Sequence, residues 1–177
     1  RLTELFADLK NPRDTEEVEV FLADDKKREN FYNLLCAFGK ALNMVLNAEQ
    51  AYTAVPKDEL KQYQNTFIFF SKVRRSVKIR YCDAIDNREY EPLMQNLLDT
   101  HLSVAGLKQI TSPIDILNKD DFERELEELG SLRAKADAIT SKLTRSISEK
   151  YQENPAYYDS FSMRIKDALE QYKEKVI

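Results

Sequence analysis

Apolar residues recur at steps of three and four along most of this 177-residue chain, with few glycines to interrupt them. That spacing lines side chains along one face of an α-helix and does not fit the two-residue alternation of a half-buried strand. From about Asp24 to Asn47 the stripe is Phe31, Leu34, Leu35, Phe38, Leu42, Val45 and Leu46. Behind Pro56 it is Leu60, Tyr63, Phe67, Phe70, Val73 and Val77, running to about Arg80. The most regular run begins at Asp120, where Phe122, Leu126, Leu129, Leu132, Ala136, Ile139, Leu143 and Ile147 predict one long helix over about 120–148. At 1.5 Å per residue such a helix extends about 40 Å, enough to brace a whole helical domain.

Shorter elements fill the rest. Leu2, Leu5, Phe6 and Leu9 predict a first helix ended by Asn11-Pro12, and Asp14-Thr15 cap a second through Val18, Phe21 and Leu22. A polar turn at Asp83 to Asn87 precedes a helix starting near Pro92, with Tyr90, Leu93, Leu97, Leu98 and His101 or Leu102 along it and Gly106 beyond its end. Residues 108–118 are the longest connection, and Asn154-Pro155 supply the cap and first-turn proline of a last helix carrying Tyr158, Phe161, Ile165, Leu169 and Tyr172. The expected fold is all-α, an irregular bundle of six or seven helices in a single domain over 1–177. No repeat of solenoid length is visible.

Chemistry is bounded by what the chain lacks. Three glycines, at Gly39, Gly106 and Gly130, cannot build a phosphate-wrapping loop, which excludes a P-loop or Rossmann turn. A single histidine, His101, excludes a two-histidine metal site and reads as a helix-end side chain. The acidic run Asp115, Asp120, Asp121, Glu123, Glu125, Glu127 and Glu128 has the density of a helix N-terminus and solvated face, not of a metal cluster. Cys36 and Cys82 lie in apolar helical patterns without metal-ligand or CxxC spacing, as free buried thiols would. No catalytic, cofactor-binding or metal residue is therefore expected. With no apolar run of membrane-spanning length and no signal-peptide layout, the expected compartment is the cytoplasm. Both ends enter or leave a helix abruptly, so the chain is expected to be a piece of a longer protein.

One charged feature stands apart. Lys72, Arg74, Arg75, Lys78 and Arg80 crowd the end of the aromatic helix, and the sign reverses at Asp83, Asp86, Glu89 and Glu91. A net charge of -4 argues against a surface that coats nucleic acid throughout, yet these five are candidates for contact with DNA phosphates. The alternative is internal pairing with the acidic helix that begins near Asp120, which neutralises both partners and is preferred.

The segment IDNREYEPLMQNLLDTHL, residues 85–102, resembles the C-terminal helical region of the R subunit of type I restriction-modification enzymes, the HsdR family, through Asp86, Tyr90, Glu91, Leu97, Leu98, Asp99, Thr100 and His101. FYNLLCAFGKAL at 31–42 and KVRRSVKIRY at 72–81 look similar too, so the likeness covers the middle half of the chain. These motifs mark a family without carrying a mechanism. The resemblance implies a parent with a nuclease domain and two RecA-like motor domains that use ATP and Mg to translocate and cleave double-stranded DNA, together with methyltransferase and specificity subunits. No nuclease or helicase motif occurs here. The chain would be the non-catalytic helical domain, with 1–10 leading in from the second motor domain, bracing that domain and supporting assembly with the methyltransferase core. A DNA-guiding surface and a stand-alone helical adaptor that pairs its long helix with a partner helix are the alternatives.

Overall fold

The computed structural model describes residues 1–48, 55–83, 91–102 and 119–176. They are all-α, with seven α-helices and, among the described residues, no strand. The helices are α1 (Thr15–Phe21), α2 (Asp25–Leu46), α3 (Lys57–Arg80), α4 (Glu91–Asn96), α5 (Lys119–Glu128), α6 (Leu132–Lys150) and α7 (Pro155–Val176). A single π-helical turn, Leu97–His101, continues α4. The chain divides into two compact units: Arg1–Lys78 with Asp83–Pro113, and Ile79–Cys82 with Ile114–Ile177.

Local chemistry starts the helices of the first unit. Asp14 and Asp24 accept from the backbone N–H groups of Glu17 and Lys27 at 3.0 Å each, capping α1 and α2. The Glu17 carboxylate accepts from Lys10 N at 2.8 Å and Asn11 N at 3.0 Å, tying down the chain that enters α1. The first expected helix is only a 3-10 turn, Glu4–Phe6, because Asn11-Pro12 comes too soon after it for a stable α-helix to develop.

That short turn nevertheless supplies the centre of the core. Phe6 is fully buried and stacks on Phe70 at 5.1 Å, while Phe21 and Phe31 meet it edge-on at 5.6 and 5.7 Å. Val18, Leu22, Tyr32, Leu35, Phe67, Val73, Val77, Met94, Leu97 and Leu98 extend the buried set. Helices α2 and α3 approach closely at Gly39, where an added Cβ would lie 2.9 Å from the Phe67 ring. Most of the expected α2 and α3 stripes face inward; Tyr63, 42% exposed, sits at the rim.

The second unit corrects the single helix over 120–148. Helix α5 ends at Glu128 and α6 begins at Leu132, with the Ser131 hydroxyl accepting from Ala134 N at 2.9 Å as a new N-cap. Gly130 is the poorest ordinary helix former and Ser131 among the best caps, so the local preference at 130–131 outweighs a periodicity that continues across the break. Asn154 then caps α7 through Tyr157 N at 3.2 Å, with Pro155 in the first turn. Leu129, Ala134 and Ala138 are buried here, whereas no described side chain of α7 is fully buried. The expected turn at 84–87, Gly106 and the connection 108–118 lie outside the described residues.

Candidate functional site

The five basic residues of α3 do not form an exposed row. Arg74 and Arg80 are fully buried, Lys78 is 6% exposed, Arg75 is half-buried, and only Lys72 is exposed. Removing a guanidinium from water costs several kcal/mol in real proteins unless charge and hydrogen bonds replace the lost hydration. The structure supplies those replacements at two clusters, one in each unit.

In the first unit, Arg74 lies over the Tyr32 ring at 5.4 Å. Tyr32 donates its hydroxyl proton to Asp83 Oδ2 at 2.9 Å, and Arg28 Nε donates to the same oxygen at 3.0 Å. Arg28 also donates through Nη1 to the carbonyls of Leu22 at 3.0 Å and Ala23 at 2.7 Å, and pairs with Asp25 through Nη2. One side chain thus satisfies orphan carbonyls at the end of α1, the start of α2 and a carboxylate beyond α3. Burial raises the Tyr32 hydroxyl well above its usual value, and the charge and hydrogen bond of Asp83 push it the same way. A tyrosine held neutral is a donor here, not a base. On the neighbouring turn of α3, Ser76 donates to the buried carboxylate of Glu19.

In the second unit, Arg80 donates through Nε and Nη2 to Asp137 Oδ2 at 2.9 and 2.6 Å. Internal pairing of the basic run is therefore seen at this residue, through Asp137 of α6, which lies within the stretch expected as the helix beginning near Asp120. Beside it the chain leaves α3 through a left-handed residue, Cys82, with φ 45°. Asp83 N bonds Lys78 O at 3.1 Å and Cys82 N bonds Ile79 O at 3.3 Å, the paired closure usually built on glycine. Arg145 Nη1 secures this turn by donating to Cys82 O at 3.1 Å.

Neither thiol is poised for chemistry. Burial raises the half-buried Cys82 thiol, against the opposing charges of Lys142 and Arg145, and the Glu125 carboxylate raises it further. Cys36 is buried with its sulfur 3.9 Å from Met94 Sδ. Among the described residues no three His, Cys, Asp or Glu side chains are grouped to hold a metal ion. No described helix is long and apolar enough to cross a membrane. The backbone of His101 ends the π turn, and its side chain lies outside the described residues. A groove of about 240 Å³ in the second unit is lined by Thr144, Ile147, Ser162, Ile165 and Lys166, with neither a carboxylate nor a thiol among them.

The charge pairs Arg28–Asp83 and Arg80–Asp137 are the two clusters in view, and comparison with known families shows where such a chain belongs. The model of the family described as type I restriction enzyme HindI endonuclease subunit-like, C-terminal, matches residues 14–177. The chain belongs to this family. No curated protein and no solved structure matches it. In this type I restriction C-terminal domain the sequence marks the cationic run without naming the individual residues that meet it. Arg28, Tyr32 and Asp137 escape a reading of the sequence, because an arginine three residues into a helix and an aspartate between alanines both look solvated. Asp83, the first acid after the basic run, is the available signal.

Proposed function

We propose that the chain acts as one non-catalytic helical domain of a type I restriction R subunit, bracing the second RecA-like motor domain and supporting assembly with the methyltransferase and specificity subunits. Residues 1–10 lead in from that motor domain. The observation that carries this reading is the family match over 14–177 on a chain whose clustered charges serve as internal struts. ATP and Mg belong to the parent's motor and nuclease domains, and double-stranded DNA is met through the parent complex in the cytoplasm.

Two features weigh against the alternatives. A DNA-guiding rail needs accessible cations, and of Lys72, Arg74, Arg75, Lys78 and Arg80 only Lys72 is exposed. The adaptor needs an unbroken helical seam over 120–148, and Ser131 caps a new helix within it.

Deleting this chain from the full-length R subunit tests the proposal. Loss of binding to the methyltransferase core, with ATP binding by the motor retained, is the expected result; unchanged assembly overturns it. Charge reversal at Lys72 and Arg75 should leave translocation unaltered. Slower translocation with a reduced salt slope would restore the rail.

A further inference from the structure

Helix α6 buries the opposite face from the one its sequence advertises. Leu132, Ala136, Ile139, Leu143 and Ile147 recur at steps of four, three, four and four, which aligns them on one side. The side that is packed carries Ala134 and Ala138, 1% and 0% exposed, together with Asp137 on Arg80 and Arg145 on Cys82 O. Along one flank Lys142 lies over the Phe122 ring of α5 at 3.3 Å. Towards the C-terminal end Thr144 and Ile147 face the groove shared with α7. Among the described residues nothing covers the first half of the stripe: Leu132 is 75% exposed and Ile139 43%, with Ala136 half-buried between them. Seven residues separate Leu132 from Ile139, about 10.5 Å along the axis, two turns of a helix.

On α6 itself the charge flanking that stripe has one sign. Helix α6 carries Arg133, Lys135, Lys142, Arg145 and Lys150 against two acids, Asp137 and Glu149. Both acids are engaged internally, Asp137 by Arg80 and Glu149 by Arg145 Nε at 2.9 Å. Arg133 and Lys135 project on opposite sides of the apolar line, and among the described residues neither has an ion pair. An apolar seam two turns long between two cations is complementary to one kind of occupant.

We propose that the Leu132–Ile139 face of α6 docks an amphipathic helix of a partner chain, whose leucine-like side chains seat on Leu132, Ala136 and Ile139 and whose flanking acidic residues meet Arg133 and Lys135. This rests on the assembly role above and names its surface and the chemistry of its partner. A second copy presenting the same face would set Arg133 and Lys135 against their own kind across the two-fold axis. A nucleic acid would satisfy the cations but leave Leu132 and Ile139 in water.

The test uses the full-length chain and two synthetic fluorescent helical peptides, each with leucines on one face, one flanked by glutamates and the other by lysines. Fluorescence anisotropy should show the glutamate peptide binding about tenfold tighter or better. Leu132→Asp and Ile139→Asp, at positions exposed enough to leave thermal unfolding unaltered, should each weaken it by about tenfold. Arg133→Glu with Lys135→Glu should transfer the preference to the lysine peptide. Equal binding of both peptides, indifference to all the variants, or a wild-type dimer in sedimentation that Ile139→Asp dissociates would each overturn the proposal. If deletion of the chain abolishes assembly while the peptides fail to discriminate, the docking face is wrong and the assembly role stands. If assembly survives deletion while Ile139→Asp removes glutamate-peptide binding, the docking face stands and the assembly role is wrong.

Discussion

The first unit is closed by aromatic rings, the second by small side chains and charge. Phe6, Phe31 and Phe70 converge with ring centroids 5.1 to 5.9 Å apart, and each is 2% exposed or less. In the second unit Ile79 and Leu129 are buried to the same depth, but α6 offers only Ala134 and Ala138 there, and Leu132 and Ile139 of α6 with Tyr157 and Met163 of α7 are exposed. Burial of apolar area contributes about 25 cal/mol per Å², so alanines on the packed face of α6 gain far less from it than the phenylalanines of the first unit. The lesson is a division of labour: the first unit commits most of its large apolar residues to its own core, leaving Met44 and Tyr63 outside, and the second keeps a greater share of them on its surface.

Truncation at the two sites separates them most widely. Phe6→Ala should lower unfolding free energy by about 3–5 kcal/mol in urea titration, whereas Phe161→Ala, at a half-buried position, should cost about 1 kcal/mol. Equal losses would erase the contrast. The charged struts differ less. Asp83→Ala removes the buried carboxylate that Arg28 and Tyr32 share and should cost about 3–5 kcal/mol, while Asp137→Ala, removing a side chain that is 39% exposed, should cost about 2 kcal/mol because that carboxylate is already partly hydrated.

The turn that ends α3 offers a smaller effect. Cys82→Val places a β-branched residue at φ 45° and should destabilise by about 1–3 kcal/mol, measured by thermal unfolding. Smallest is a pH effect confined to the first unit. Tyr32 holds its proton more tightly folded than unfolded, so its contribution is full below the ordinary tyrosine value of 10.0 and is lost as pH rises through the higher folded value. Stability should therefore fall more steeply above about pH 10 in the wild type than in Tyr32→Phe. Parallel curves would remove Tyr32 as the cause.

Much of the local architecture is legible in the sequence. Its periodicity places a helix from about Asp24 to Asn47, where α2 spans Asp25–Leu46, and the caps Asp14 and Asn154 with Pro155 behave as their residue types require. Capping and periodicity act within a few residues, and a sequence carries that information directly. The break at 129–131 is also written locally, in Gly130-Ser131, but eight apolar residues in phase conceal it. Phase alone does not distinguish one helix from two that share a register.

Long-range choices are not legible in this way. A run of five cations reads as a choice between DNA contact and internal pairing, with no sign of which side chains leave water, because each taken alone is best left in it. Its burial depends on Asp83 and Tyr32 in one unit and Asp137 in the other, brought together only when the helices pack. The same holds for α6, whose sequence marks an apolar stripe but not whether that stripe faces in. The chain by itself determined that it would be helical, where most helices start, and which family it resembles, because caps, periodicity and motifs are local. Tertiary structure alone decided which charges are struts and which apolar face of α6 is left exposed, because desolvation and packing depend on neighbours far away in sequence.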